Sequence, residues 1–177
     1  MKNILRTIFL FFPGLLLFFI PGKASGQKLA FIFIHGVGAT PIDQSSQNYY
    51  TGGFGGEAGF GLGGNKTFFT GSIGYTSFNG KGLVKNETYI PVKIGVRRYL
   101  PLKLVFIDAN AGIGMVSNSQ PTIATPNPSG ARFAADLGAG IKLGNLELAA
   151  NFDTFKEPNP DGWSGWIVFK AGFRIGI

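Results

Sequence analysis

Apolar and polar residues alternate one by one along most of the chain, the period of an extended strand rather than a helix. The clearest stretch is Leu102–Val116, where Val105, Ile107, Ala109, Ala111, Ile113 and Met115 alternate with Phe106, Asp108, Asn110, Gly112 and Gly114. In Ala131–Leu143, Phe133, Ala135, Leu137, Ala139 and Ile141 oppose Ala134, Asp136, Gly138, Gly140 and Lys142. Leu146–Phe155 sets Leu146, Leu148, Ala150 and Phe152 against Glu147, Asn151 and Asp153. Glu87–Tyr99 sets Ile90, Val92, Ile94 and Val96 against Lys93 and Arg97. At the end of the chain, Phe169, Ala171, Phe173, Ile175 and Ile177 share one face, and Lys170, Gly172, Arg174 and Gly176 the other. A strand so divided needs two very different neighbours. Three earlier stretches, Lys28–Gly38, Gly53–Gly63 and Lys66–Phe78, are strand-like but mix Gly and apolar residues on both faces.

That makes eight strands, and their connectors alternate in length. Ala39–Thr51, Asn79–Asn86, Ser117–Gly130 and Lys156–Gly162 are the longer ones. Gly64-Asn65, Leu100-Pro101 and Gly144-Asn145 are tight turns, with Gly-Asn suited to positive φ and Pro to a fixed φ. A meander of this kind places four longer loops at one end and three turns, with both termini, at the other. Short periplasmic turns and longer outside loops are the asymmetry of an outer-membrane barrel. The fold expected is all-β: an eight-stranded antiparallel up-and-down transmembrane β-barrel spanning residues 27–177.

Composition agrees. Charged residues make up 14% of the chain, against roughly 25% in ordinary soluble domains. Residues 1–26 read as a signal peptide: Lys2 and Arg6, then an apolar run from Ile8 to Ile20, then Ala24-Ser25-Gly26 before a cut after Gly26. That run, about 13 residues broken by Pro13-Gly14, is short of the roughly 20 a spanning helix needs. Without Lys2, Arg6 and Lys23 the mature chain keeps 13 of the 16 basic residues against 9 acidic ones, too mild and dispersed a balance for nucleic acid. The absence of cysteine excludes disulfides and thiolate metal sites. No cofactor is expected.

The charges collect on the polar faces: Glu57, Asp108, Asp136, Glu147 and Asp153 against Lys93, Arg97, Lys142, Lys170 and Arg174. Eight strands enclose a lumen just wide enough for side chains to fill, so these groups must pair there. The pairing reads either as a salt-bridged core that closes the barrel or as a narrow ion path; the first is the expectation. Lumen-face glycines such as Gly55, Gly59, Gly61, Gly112, Gly114, Gly138 and Gly140 would make room for long charged side chains and let strands bend. Tyr49, Tyr50, Tyr75, Tyr89, Trp163 and Trp166, with Phe78 and Phe155, fall where strands meet the long loops. They read as an interfacial girdle, or else as packing beneath the loops.

Lys170, Gly172, Ile175 and Ile177 follow a polar-x-Gly-x-x-apolar-x-apolar spacing that resembles the C-terminal insertion signal of membrane barrels, although family members usually end in Phe or Trp. With the strand pattern, the whole mature chain resembles the small outer-membrane β-barrels, the OmpX and OmpA transmembrane-domain type. The resemblance implies a monomer in a Gram-negative outer membrane. Its partners would be membrane lipid and lipopolysaccharide, together with the barrel-insertion machinery. The implied role is structural, adhesive or protective.

A few such barrels modify lipid A with His and Ser. Here the sole histidine, His35, would have to meet a hydroxyl such as Ser72 or Ser77 and a carboxylate such as Asp153, and no spacing selects a partner. "FIHGVG" lacks the G-x-S-x-G and second histidine of an α/β-hydrolase. Gly59-Phe60-Gly61-Leu62-Gly63-Gly64 lacks the following helix of a phosphate loop. No enzyme activity is expected. Two alternatives remain: a soluble lipocalin-like carrier of an apolar ligand, with the faces reversed, and a channel for hydrophobic solutes.

Overall fold

The computed structural model describes residues 29–84, 86–101, 103–118, 130–156 and 162–177. The signal peptide expected over residues 1–26 and most of the Ser117–Gly130 and Lys156–Gly162 loops lie outside the described residues. Eight strands form one closed antiparallel barrel in sequence order, with β8 pairing back onto β1. They are β1 (Ala30–Pro41), β2 (Tyr50–Gly64), β3 (Thr67–Gly80), β4 (Glu87–Tyr99), β5 (Val105–Asn118), β6 (Gly130–Leu143), β7 (Leu146–Lys156) and β8 (Trp163–Gly176). Strands of 11 to 15 residues meet or exceed the roughly 9–11 needed to cross a bilayer. A closed wall also leaves no strand edge unpaired in lipid.

The faces of β5 to β8 divide as the alternation requires. Ile107, Ile113, Leu137, Phe169 and Phe173 point outward, while Asp108, Asp136, Glu147 and Asp153 are buried. Ionised groups inside and a bare aliphatic and aromatic surface outside invert the distribution of a water-soluble protein. Ile94 is 75% exposed and Lys93 beside it 4%. Lipid on the outside makes that order favourable, and the same order rules out a lipocalin's apolar lumen. No helix among the described residues is long and apolar enough to cross a membrane, which says nothing about strands.

The ambiguous strands resolve in a specific way. In β1 the inward row is Phe31, Phe33, His35, Val37 and Ala39, and the outward row contains Ile32 and Ile34. In β3, Phe68 and Phe78 face in, and Phe69, Ile73 and Tyr75 face out. The interior on this side is apolar, so both faces read as hydrophobic.

Three connectors differ from the sequence reading. Ala39–Thr51 is not an irregular loop throughout: β1 runs on to Pro41, and a short helix, α1 (Gln44–Tyr49), follows. Asp43 caps it, accepting from Ser46 N at 2.7 Å through Oδ2, as a helix-initiating Asp does. Its other oxygen accepts from Gly165 N at 2.9 Å, tying the loop to β8. The turn expected at Leu100-Pro101 extends to residue 104, with Lys103 at φ 54, so β5 begins three residues later than its apolar pattern. The turn expected at Gly64-Asn65 falls one residue later, at Asn65-Lys66, because Gly64 still belongs to β2; Asn65 takes φ 58, a conformation Asn tolerates better than most residues.

Candidate functional site

The site is the barrel interior, built in three layers. The middle layer is polar, and most of it is joined by hydrogen bonds into one chain, with the Lys170–Glu57 pair beside it. Glu147, on β7, collects the most partners. Arg97 Nη1 donates to its Oε2 at 2.9 Å, and Tyr99 Oη donates to its Oε1 at 2.9 Å. His35 Nε2 stands 3.3 Å from Oε2, and Arg174 Nε 3.8 Å from Oε1. Arg97 reaches across to Asp108 Oδ2 at 3.2 Å. Asn151 Nδ2 then bridges two acids, donating to Asp108 Oδ1 at 2.8 Å and to Asp136 Oδ1 at 2.9 Å. Lys93 Nζ closes the run between Asp136, at 2.8 Å, and Asp153. Lys170 pairs with Glu57.

The network thus joins residues the alternation placed on polar faces. Glu57, Lys93, Arg97, Asp108, Asp136, Glu147, Asp153, Lys170 and Arg174 all point into the lumen. Lys142 lies at the turn end, its ammonium 5.9 Å from the Tyr99 ring and its backbone opposite Glu147 by register. Asn110 and Asn151, which the alternation places on polar faces without assigning them a role, complete the middle layer with Thr70 and Tyr99. Asn110 donates to Asp136 Oδ1 at 2.8 Å and accepts from Thr70 Oγ1 at 3.0 Å. A neutral amide between two acids supplies hydrogen bonds without another charge. Its only signature in sequence is a polar-face position level with carboxylates on neighbouring strands.

Aromatic layers lie on both sides. Toward the turns, Phe31, Phe33, Phe68, Tyr99 and Phe106 are buried together. The Arg174 guanidinium lies 4.0 Å from the Phe31 ring centre, and that of Arg97 4.2 Å from Phe106, close enough for cation–π attraction. Toward the loops, Trp166 stacks on Phe78 at 3.9 Å and Tyr89 on Phe155 at 5.1 Å. Tyr50 joins them and donates to Glu87 Oε2 at 2.8 Å.

This placement corrects the girdle. Tyr50, Tyr89 and Trp166 are inside the barrel at 7%, 4% and 2% exposure, with Phe78 and Phe155 beside them. Tyr49, Tyr75 and Trp163 do lie on the outside. Strand parity explains the split: Trp163 is an odd number of residues from Trp166 and faces the opposite way. The glycine reading also changes. Gly61 faces the Phe31 ring, Gly59 the Phe33 ring, Gly114 the Tyr89 ring and Gly140 the Phe106 ring, while Gly138 makes room for Asn151. The space they leave admits rings and an amide more than long charged side chains.

Between the middle and loop-side layers a cavity of about 20 Å³ is bordered by Ser72, Tyr89, Lys93, Asp153 and Lys170, room for about one water. Among the described residues no cluster of His, Asp and Glu could hold a metal. Lys170, Gly172, Ile175 and Ile177 end the chain along β8, with Ile177 N donating to Ala30 O at 2.8 Å.

No protein-family model and no curated protein matches the chain at a significant level. Solved structures do. Ail of Yersinia pestis, in complex with the heparin analogue sucrose octasulfate, superposes with a TM-score of 0.57 at 17% identity, over 82% of this chain and 97% of that one. Neisserial surface protein A gives 0.58 at 13% identity, over 88% and 100%. The outer-membrane enzyme PagL gives 0.51 at 17%, over 82% and 99%. Identities this low speak for the fold alone. Closed wall, lipid-compatible exterior and charged interior together give this chain the fold of the small eight-stranded outer-membrane β-barrels.

Proposed function

We propose that the protein is a sealed outer-membrane barrel that displays its loops at the cell surface, in a structural or surface-interaction role. It is neither a porin nor an enzyme. The observation that carries this reading is the layering of the lumen. Phe31, Phe68 and Phe106 narrow the lumen on one side of the charged layer and Phe78, Phe155 and Trp166 on the other, so on this reading an ion meets rings before and after the charges. The charged side chains are spent on each other, which suits a brace better than a conduit.

Against catalysis, His35 faces Glu147 in the lumen, stacked 4.8 Å from Phe33. Asp153 is engaged by Lys93, and Ser77 is on the outward row of β3. His35 is 2% exposed, which weighs against its contact with a lipid substrate outside the wall. A hydrophobic-solute channel would need an apolar way through the polar layer. A surface role is supported by loop 1 (residues 42–49), which α1 and its ties to β8 hold in a fixed form, and by the likeness in fold to Ail, an attachment invasion locus protein.

The test takes purified outer membranes and planar bilayers. The unboiled protein should migrate faster than the boiled one on a gel, and purified barrel should give no stable conductance steps. Regular open-channel steps from the wild-type protein would overturn the sealed-lumen reading while leaving the barrel intact.

A further inference from the structure

The two ends of the barrel carry different charge. The four loop-side segments, residues 42–49, 79–87, 117–132 and 156–162, hold Asp43, Glu87, Glu157 and Asp161 against Lys81, Lys85, Arg132 and Lys156, an even balance. The turns 64–66, 100–104 and 144–145 contain no Asp or Glu at all. Around them stand Lys66, Arg98, Lys103, Lys142 and Arg174. The nearest acid, Glu147, is 1% exposed and bound to Arg97 and Tyr99, with Arg174 Nε 3.8 Å from its Oε1.

Position sharpens the asymmetry. Arg98 belongs to the outward row of β4, after Ile90, Val92, Ile94 and Val96, one residue before the strand ends. It pairs by register with Thr67, immediately beyond Lys66 in the β2–β3 turn. Lys103 is exposed on the next turn. Around this edge Leu62, Leu100, Leu104, Leu143 and Leu146 are also exposed to the outside. A cation on the lipid-facing surface, level with the last apolar ring, can only place its head in the headgroup layer. At the mouth of the lumen, Lys142 and Arg174 share the Tyr99 ring, at 5.9 and 5.2 Å.

We propose that this turn-side collar binds the phosphates of anionic phospholipid in the periplasmic leaflet. Lys66, Arg98 and Lys103 supply the lipid-facing contacts, and Lys142 and Arg174 keep the mouth positive. The collar would hold the barrel at a fixed depth and enrich anionic lipid around its turn end. The inference rests on the barrel orientation with turns toward the periplasm.

The experiment uses the full barrel, folded and detergent-solubilised, with phosphatidylglycerol or phosphatidylcholine added and bound lipid counted by native mass spectrometry. Wild-type protein should retain phosphatidylglycerol in preference to phosphatidylcholine. K66Q/R98Q/K103Q should lower that preference at least about tenfold, given on the order of fivefold per cation near an anionic surface. Salt should weaken it in the wild type. The loop-side variant K81Q/K156Q should retain it. Equal retention of the two lipids by wild-type protein would overturn the proposal, as would an unchanged preference in the triple variant. Inorganic phosphate competing at micromolar concentration would overturn it in favour of a small-anion site. Both variants should still shift on boiling. Loss of that shift in the wild type would count against the barrel reading itself, so the two failures are separable.

Discussion

Glu147 is the residue on which the interior turns. Both its oxygens are engaged, by Arg97 and Tyr99, with His35 and Arg174 alongside. Removing it leaves a buried guanidinium with Asp108 as its remaining carboxylate partner. Breaking a buried pair from one side costs roughly 3–5 kcal/mol, so Glu147→Ala should lower unfolding stability by about that much. Lys170→Ala should cost less, roughly 1–3 kcal/mol, because its partner Glu57 keeps 14% side-chain exposure and can recover water. Urea titration in phospholipid vesicles, followed by tryptophan fluorescence, checks both. Equal costs, or none, would mean the network is not a brace. Most charged members of this network are legible in the sequence, because they sit on polar faces opposite apolar residues; Glu57 stands out only as the one charge in a Gly-rich strand. The role of Asn151 is not legible there: a lone amide announces nothing until the register sets it between Asp108 and Asp136.

At the level of elements, legibility follows what each strand faces on its inner side. β5 to β8 put Asp, Asn, Lys, Glu and Gly inward along much of their length, so the period of two shows in the text of the chain. β1 and β3 line the aromatic layers, so Phe31, Phe33, Phe68 and Phe78 face inward while Ile32, Ile34, Phe69 and Ile73 face lipid. Two apolar faces erase the alternation. The same cause misplaced Tyr50, Tyr89 and Trp166: aromatic residues near loops read as a girdle, and only their parity reveals a plug. Loop 1 was hidden for a different reason. Helix α1 is six residues long and largely polar, too short for a period, and it depends on Asp43 to fix its start and to reach Gly165. Asp43→Ala should therefore free the loop without melting the wall. Amide exchange over residues 44–49 should rise, while the urea midpoint moves little, since a cap contributes about 1 kcal/mol. A large fall in global stability would instead show that loop 1 is part of the barrel's cooperative unit.

For the whole molecule, the sealed-lumen proposal requires the lumen to be closed twice. The turn-side and loop-side aromatic layers are separate clusters, with the charged layer between them, so the proposal has them act as two barriers in series. Opening one should then not by itself connect the two sides. Phe78→Ala with Trp166→Ala should create space at the loop end and still give no conductance steps. Phe31→Ala with Phe68→Ala should do the same from the turn end. Only the four substitutions together should let ions reach the Lys93–Asp136 and Arg97–Glu147 pairs from both mouths, and conductance should then appear in planar bilayers. Each ring truncation costs about 3–5 kcal/mol, so heat-modifiability must first confirm that each variant is folded. Steps from either double variant would place the whole barrier in one layer and leave the charged network as an open path. Silence from the folded quadruple variant would assign the seal to the ion pairs themselves, a polar layer packed tightly enough to exclude ions without any aromatic cover.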